Sequence, residues 1–213
     1  MLRRKLYSLG FLISTLVLLV SAVYAWFSIG PETNLEFLEV SVKSDVVESF
    51  LFVKKNDEDE SLIQDPQDLV DILHLGVPSD DYRFRLRLRN YSSDSRTVNA
   101  MFKNMTNHGM VEGADIRDAY LLKDSKVYYG VEEIILTPNV PGTAIGYDGQ
   151  TLKENRLNNF RDTSTNNMIL VQNKTLLPGE TLDVIFYISF DYDVYSSAYT
   201  GYVEIERLIV NIV

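Results

Sequence analysis

The chain has 213 residues, no cysteine, and 20 basic against 30 acidic side chains, for a formal charge of −10. Without cysteine there is neither a disulfide framework nor a thiol nucleophile, so a domain of this size must rest on its hydrophobic core. The acidic balance argues against nucleic acid and anionic lipid as partners.

Residues 1–30 read MLRRKLYSLGFLISTLVLLVSAVYAWFSIG. Arg3, Arg4 and Lys5 precede an apolar centre at 16–20, and the small residues Ser21, Ala22 and Ala25 follow it. Basic, apolar, then small is the layout of a secretory signal peptide. Val23-Tyr24-Ala25 places the cleavage between Ala25 and Trp26. Two alternatives stand beside it. The uncharged span is long enough to cross a bilayer as an uncleaved helix of ~20 residues with its basic end in the cytoplasm. A type IV pilin leader would use Lys5 and Gly10-Phe11, although Thr15 stands where a pilin has Glu and Pro31 interrupts the helix early. Each reading puts residues 32–213 outside the cytoplasm, as in a Gram-positive-type exterior. Without residues 1–25 the chain keeps 17 basic and 30 acidic side chains, a charge of −13. The three sequons at Asn90, Asn104 and Asn173 are chance matches in such a setting.

Residues 26–34 are expected to form an N-terminal strand or linker, and residues 35–213 one β-domain. In 35–43, Leu38, Val40 and Val42 alternate with polar residues, which marks a half-buried strand. Residues 47–54 are a second β-rich run, and the charged stretch 54–60 after it is a solvated hairpin loop rather than a Ca²⁺ loop, because the glycine and ligand spacing of such a loop are missing. Leu69, Ile72 and Leu73 fit a short helix or turn within 66–75, starting near Pro66. In 82–90, Tyr82, Phe84, Leu86 and Leu88 face one way and Arg83, Arg85, Arg87 and Arg89 the other. Four arginines on one face invite a ligand; pairing with acidic neighbours across strands is the simpler account. The turn cluster 90–95 and the run 96–104 complete an expected hairpin. Residues 114–123 fit a short helix or a strand, and 132–136 a short strand. Residues 138–167, rich in Gly, Pro and Asn, are expected to be a long irregular surface insertion. A strand at 168–172, a tight turn at 177–180 and a strand at 182–190 that is apolar on both faces follow. In 199–213 the apolar residues change phase at Glu206-Arg207, which calls for a bulge or bend. About eight strands and almost no helix imply an all-β fold: an antiparallel β-sandwich or jelly roll behind an N-terminal leader helix.

No catalytic motif emerges. His74 and His108 lie far apart and outside any H-E-x-x-H, and there is no G-x-S-x-G, P-loop or G-x-G-x-x-G. Asp191-Tyr192-Asp193 could meet a cation at a strand end, but reads more simply as a solvated turn. The expectation is a non-enzyme with no cofactor, no catalytic residues and no metal ligands.

Val23-Tyr24-Ala25-Trp26-Phe27-Ser28 resembles the leader junction of the TasA and camelysin group of Firmicutes surface proteins, which are processed by a SipW-type signal peptidase. Leu88-Arg89-Asn90-Tyr91-Ser92 and Leu177-Pro178-Gly179-Glu180-Thr181 are similar to segments of that group. The resemblance implies a jelly-roll subunit of an extracellular fibre or biofilm matrix. Assembly would run through Trp26, Phe27, Ser28 and Ile29, donated as a strand to the next subunit. Expected partners are other copies or other surface proteins, the signal peptidase, and the membrane before processing. The alternatives are a membrane-anchored adhesion or ligand-binding domain acting through 138–167, and a pilin-like subunit.

Overall fold

The structure, a computed structural model, describes residues 39–42, 46–64, 68, 80–194 and 197–212. The chain divides into residues 1–31 and 32–213, and every described residue belongs to the second unit. The leader helix, the cleavage at Ala25 and Trp26, and the assembly strand at 26–29 lie outside the described residues. So does most of the expected helix at 66–75, of which Asp68 alone is described, in helical conformation.

Twelve strands are described: β1 (Glu39–Val42), β2 (Val47–Lys55), β3 (Ser61–Ile63), β4 (Asp81–Asn90), β5 (Arg96–Gly109), β6 (Tyr120–Tyr129), β7 (Glu132–Ile135), β8 (Ala144–Ile145), β9 (Thr151–Leu152), β10 (Met168–Leu176), β11 (Thr181–Phe190) and β12 (Gly201–Ile212). A one-turn helix α1 (Leu157–Phe160) and 3-10 turns at Ile116–Asp118, Tyr192–Val194 and Ser197–Tyr199 complete the described elements. The fold is all-β. One sheet has the order β1-β12-β5-β10, a second β3-β2-β4-β11-β6-β7, and β8-β9 form a small ribbon. Every ladder is antiparallel except β1 on β12, which is parallel.

The alternation in β4 buries Tyr82, Phe84, Leu86 and Leu88, and that in β11 buries Leu182, Val184, Phe186, Ile188 and Phe190. From the four-stranded sheet, Val98, Ala100 and Phe102 of β5 and Leu208 and Val210 of β12 enter the same core. Phe186 joins the two sheets. Its ring stacks on Phe84 at 5.1 Å and meets Phe102 edge-on at 5.7 Å and 76°. Such pairs add ~0.5–1.5 kcal/mol beyond the area they bury. The other face of β11 is not core: Ile185 and Tyr187 are only half-buried, on the outer side of the six-stranded sheet.

The hairpin expected over 82–104 does not form. β4 pairs with β2 and β11, whereas β5 pairs with β12 and β10, so the turn at 91–95 carries the chain from one sheet to the other. Asn90, fully buried, holds this arch. Its Nδ2 donates to the carbonyls of Asp94, Leu176 and Leu177 at 2.8, 3.1 and 3.1 Å, and its Oδ1 accepts from the Ser92 amide and hydroxyl at 2.9 and 2.7 Å. A side chain so enclosed leaves the first sequon no room for a glycan. The arch is thereby tied to the expected tight turn at 177–180, where the Glu180 amide donates to the Leu177 carbonyl and Gly179 takes φ +74°.

The phase change in β12 is real and is matched in its neighbour. Val203 and Ile205 are buried before it, and Leu208 and Val210 after it. β5 changes phase at the same level, with Phe102 and Met105 buried on either side of Asn104 at φ +52°. Both strands bend together, so their register does not slip. Where β5 bends, the Asn104 amide donates to Asn167 Oδ1 at 2.9 Å and the Met105 amide to the Asn166 carbonyl at 2.8 Å. The 138–167 stretch therefore supports the four-stranded sheet. It is not wholly a surface feature, since Leu152, Leu157 and Phe160 are buried in the common core.

Candidate functional site

Period-2 alternation sends Arg83, Arg85, Arg87 and Arg89 to the outer face of the six-stranded sheet. Acidic partners come from both sides. Glu60, at the end of the β2–β3 loop, accepts from Arg83 Nη1 at 2.7 Å and from Arg85 Nε at 3.0 and 3.1 Å, and also contacts Arg85 Nη2. Asp183 of β11, directly opposite Arg87, takes a bidentate pair from its Nε at 2.7 Å and Nη2 at 2.9 Å. The Arg85 guanidinium lies 3.9 Å from the centre of the Phe52 ring, and that of Arg89 lies 4.4 Å from that of Tyr91. Acidic neighbours thus account for three of the four arginines, Asp183 across the strands for Arg85 and Arg87 and the loop residue Glu60 for Arg83 and Arg85, and ring stacking for the fourth. The hydrogen bond from Arg85 holds the Glu60 carboxyl below its ordinary range, and that from Arg87 does the same to Asp183.

At the β2–β3 end of this face, Lys54, Asn56, Asp57, Asp81, Arg83, Lys123 and Tyr187 line an open depression of about 450 Å³. Lys54 pairs with Arg83, and Arg83 with Tyr187, in one transverse row. Lys123 joins them because β6 spends five residue steps, 122 to 127, where β11 spends two, 188 to 186. The surplus is taken up around Asp124 and Ser125, at φ +53° and +57°, and Lys123 emerges 5.9 Å from the centre of the Tyr187 ring and 3.4 Å from Asp81. Asn56, at φ +47°, fixes the rim by donating to Asp80 Oδ1 at 2.6 Å and accepting from the Asp81 amide at 2.9 Å.

A second polar cluster lies inside the domain. Arg117 grips Asp115 through Nε at 2.8 Å and Nη2 at 2.6 Å, and donates from Nη1 to the Met105 carbonyl at 2.6 Å. Arg156 Nε lies 3.0 Å from Asp118, and Asn158 donates to both aspartates. Arg161 donates to Asn158 and Asn166. Burial pushes the Asp118 carboxyl above its ordinary value and the Arg161 guanidinium below its own. These groups engage one another, with Arg156 Nε held near Asp118 by charge and making no hydrogen bond, and the cluster locks 154–166 onto the bend of β5; it is a keystone of the fold.

The remaining chemical candidates are also internally engaged. Asp191 is 1% exposed and receives Lys153 Nζ at 2.6 Å, and Asp193 lies 2.8 Å from the same nitrogen. The lysine ammonium stands where the sequence allowed a cation. His108 Nε2 lies 2.6 Å from Glu204, with the ring stacked on Tyr202 at 4.6 Å. His74, Ala25, Trp26, Phe27, Ser28 and Ile29 lie outside the described residues. Among the described residues, no three His, Asp or Glu side chains are placed to hold a metal ion, and no helix is long and apolar enough to cross a membrane. Sequence reading found the arginine row but missed Lys123 and Tyr187 as its neighbours, because the irregularity in β6 that gathers them has no periodic signature.

No family model, no curated protein and no solved structure matches this chain.

Proposed function

We propose that the chain is a secreted or cell-surface structural protein, a subunit of an extracellular fibre or biofilm matrix that assembles by strand pairing. The observation that carries this reading is the place of β1. It lies at the edge of the four-stranded sheet, parallel to β12, with Glu39 opposite Arg207. Residues 26–34, whose first five, Trp26-Phe27-Ser28-Ile29-Gly30, are the apolar start of the processed chain, end five positions before Glu39 in sequence. An edge strand offers unpaired main-chain donors and acceptors to a further strand. A matching acceptor is available on the six-stranded sheet, whose edge β7 is flanked by a fully exposed Val131 and contains the exposed Ile135.

On this reading the two sheets form a β-sandwich of jelly-roll type, with the β2–β4 and parallel β1–β12 pairings as its own variations, and residues 1–25 direct export and are removed. The protein is not an enzyme and takes no cofactor; the engagement of His108 by Glu204 and of Asp191 by Lys153 supports that reading. A surface ligand-binding domain is the second reading, favoured by the depression beside Arg83. Mass spectrometry of the native protein's N-terminus tests processing: a chain beginning at Trp26 is expected, and one beginning at Met1 or Phe11 overturns the processed-subunit reading in favour of an anchor or a pilin.

A further inference from the structure

The depression on the outer face of the six-stranded sheet is lined by three cationic side chains and two carboxylates. Lys54, Arg83 and Lys123 meet there against Asp57 and Asp81, in a domain with an excess of acidic residues. Its volume, about 450 Å³, falls in the ~300–1,000 Å³ range of small-ligand sites. Lys54 has no carboxylate partner among the described residues, whereas the neighbouring Lys55 turns the other way and pairs with buried Asp80 at 2.9 Å. Arg83 gives Nη1 to Glu60 and keeps its other N–H groups for a further acceptor. Lys123 is half exposed, and its contact with Asp81 is a long 3.4 Å. Tyr187 presents a half-buried ring between these cations, steadied by Tyr128 edge-on at 6.4 Å.

We propose that this depression is a binding site for an anionic saccharide, a sugar polymer carrying one carboxylate per unit. The cations take the carboxylate. The Asp57 and Asp81 oxygens accept hydrogen bonds from ring hydroxyls, and the Tyr187 ring stacks against the apolar face of the sugar. The mixture of charges selects against denser polyanions. An acidic peptide or a nucleic acid would bring more closely spaced charges against Asp57 and Asp81, with Glu58 and Asp59 following Asp57 along the chain. The rim is preorganised by Asn56 and by the bulge in β6, so little ordering accompanies binding. The inference rests on the described domain alone and stands whether or not the N-terminal strand assembles.

Calorimetric titration of the full chain with oligogalacturonate, its methyl-esterified counterpart and hexaglutamate at low salt tests it. Saturable binding of oligogalacturonate is expected, about tenfold or more tighter than either control and weakened by added salt. Lys54→Gln and Lys123→Gln should each weaken it about three- to tenfold at unchanged melting temperature, and Tyr187→Ala about tenfold in a chain that still melts cooperatively. Lys174→Gln, which removes an exposed contact with Glu132 elsewhere, should leave it unaltered. Absence of oligogalacturonate binding, equal binding of the ester, tighter binding of hexaglutamate, or indifference to Lys54→Gln and Tyr187→Ala overturns the proposal.

Discussion

Replacing Phe186 by alanine removes a ring that touches aromatic side chains from both sheets. The ring is fully buried, 5.1 Å from Phe84 in its own sheet and 5.7 Å from Phe102 in the other. Truncating a buried Phe costs ~3–5 kcal/mol, and two lost aromatic pairs of ~0.5–1.5 kcal/mol each place Phe186→Ala near the top of that range. For a domain of this size each kcal/mol lowers Tm by about 2–4 °C, so a fall of roughly 8–20 °C is expected in a thermal melt. The neighbouring Ile185→Ala provides the scale. Ile185 points to the outer face and already leaves part of its area in water, so its loss should cost only ~1–2 kcal/mol. A double-mutant cycle of Phe186→Ala with Phe102→Ala should show ~0.5–1.5 kcal/mol of coupling. If Phe186→Ala costs no more than Ile185→Ala, or if the coupling is zero, the two sheets do not share a core through these rings and the account of the fold is wrong.

Asn90→Ala should cost ~1–3 kcal/mol, read by urea denaturation, because the Asp94, Leu176 and Leu177 carbonyls lose a donor in a buried site; a neutral result would mean that the arch does not depend on this amide. Stability should fall as the medium is acidified. Glu60 and Asp183 titrate below their ordinary 4.5 and 3.8 in the folded state. Their contribution is therefore present above those values and lost as pH drops through the lower folded ones. Asp118, raised by burial, works in the opposite sense, since the folded state keeps its proton to higher pH. Melts between pH 7 and 2 should show a flatter acid limb in Glu60→Gln than in the unaltered protein, and identical limbs would refute the role of the Arg85–Glu60 pair.

What could be read from the sequence, and what could not, divides along local and non-local causes. The faces of β4 and β12 were legible because the side-chain period is a property of each strand by itself. The pairing of the arginines was legible in kind, since an acidic chain brings carboxylates within reach of any basic strand; that Glu60 and Asp183 supply them depends on sheet order. The hairpin over 82–104 was misread because Ser92, Ser93 and Asp94 announce a turn without saying which sheet receives the next strand. That choice is made by Asn90 finding carbonyls at 176 and 177, some 86 residues away. The burial of Leu152, Leu157 and Phe160 escaped for a similar reason: they are isolated apolar residues in a polar stretch, and non-local contacts such as Arg156 with Asp118 and Asn158 with Asp115 and Asp118 bring that stretch against the core.

The central claim is assembly through the segment that precedes β1. Electron microscopy of the processed chain, residues 26–213, beside the same chain begun at residue 35 tests it most directly, with matching melting temperatures to show that both are folded. The account predicts filaments from the first and none from the second. Filaments of unchanged appearance and yield from the shortened chain would contradict it.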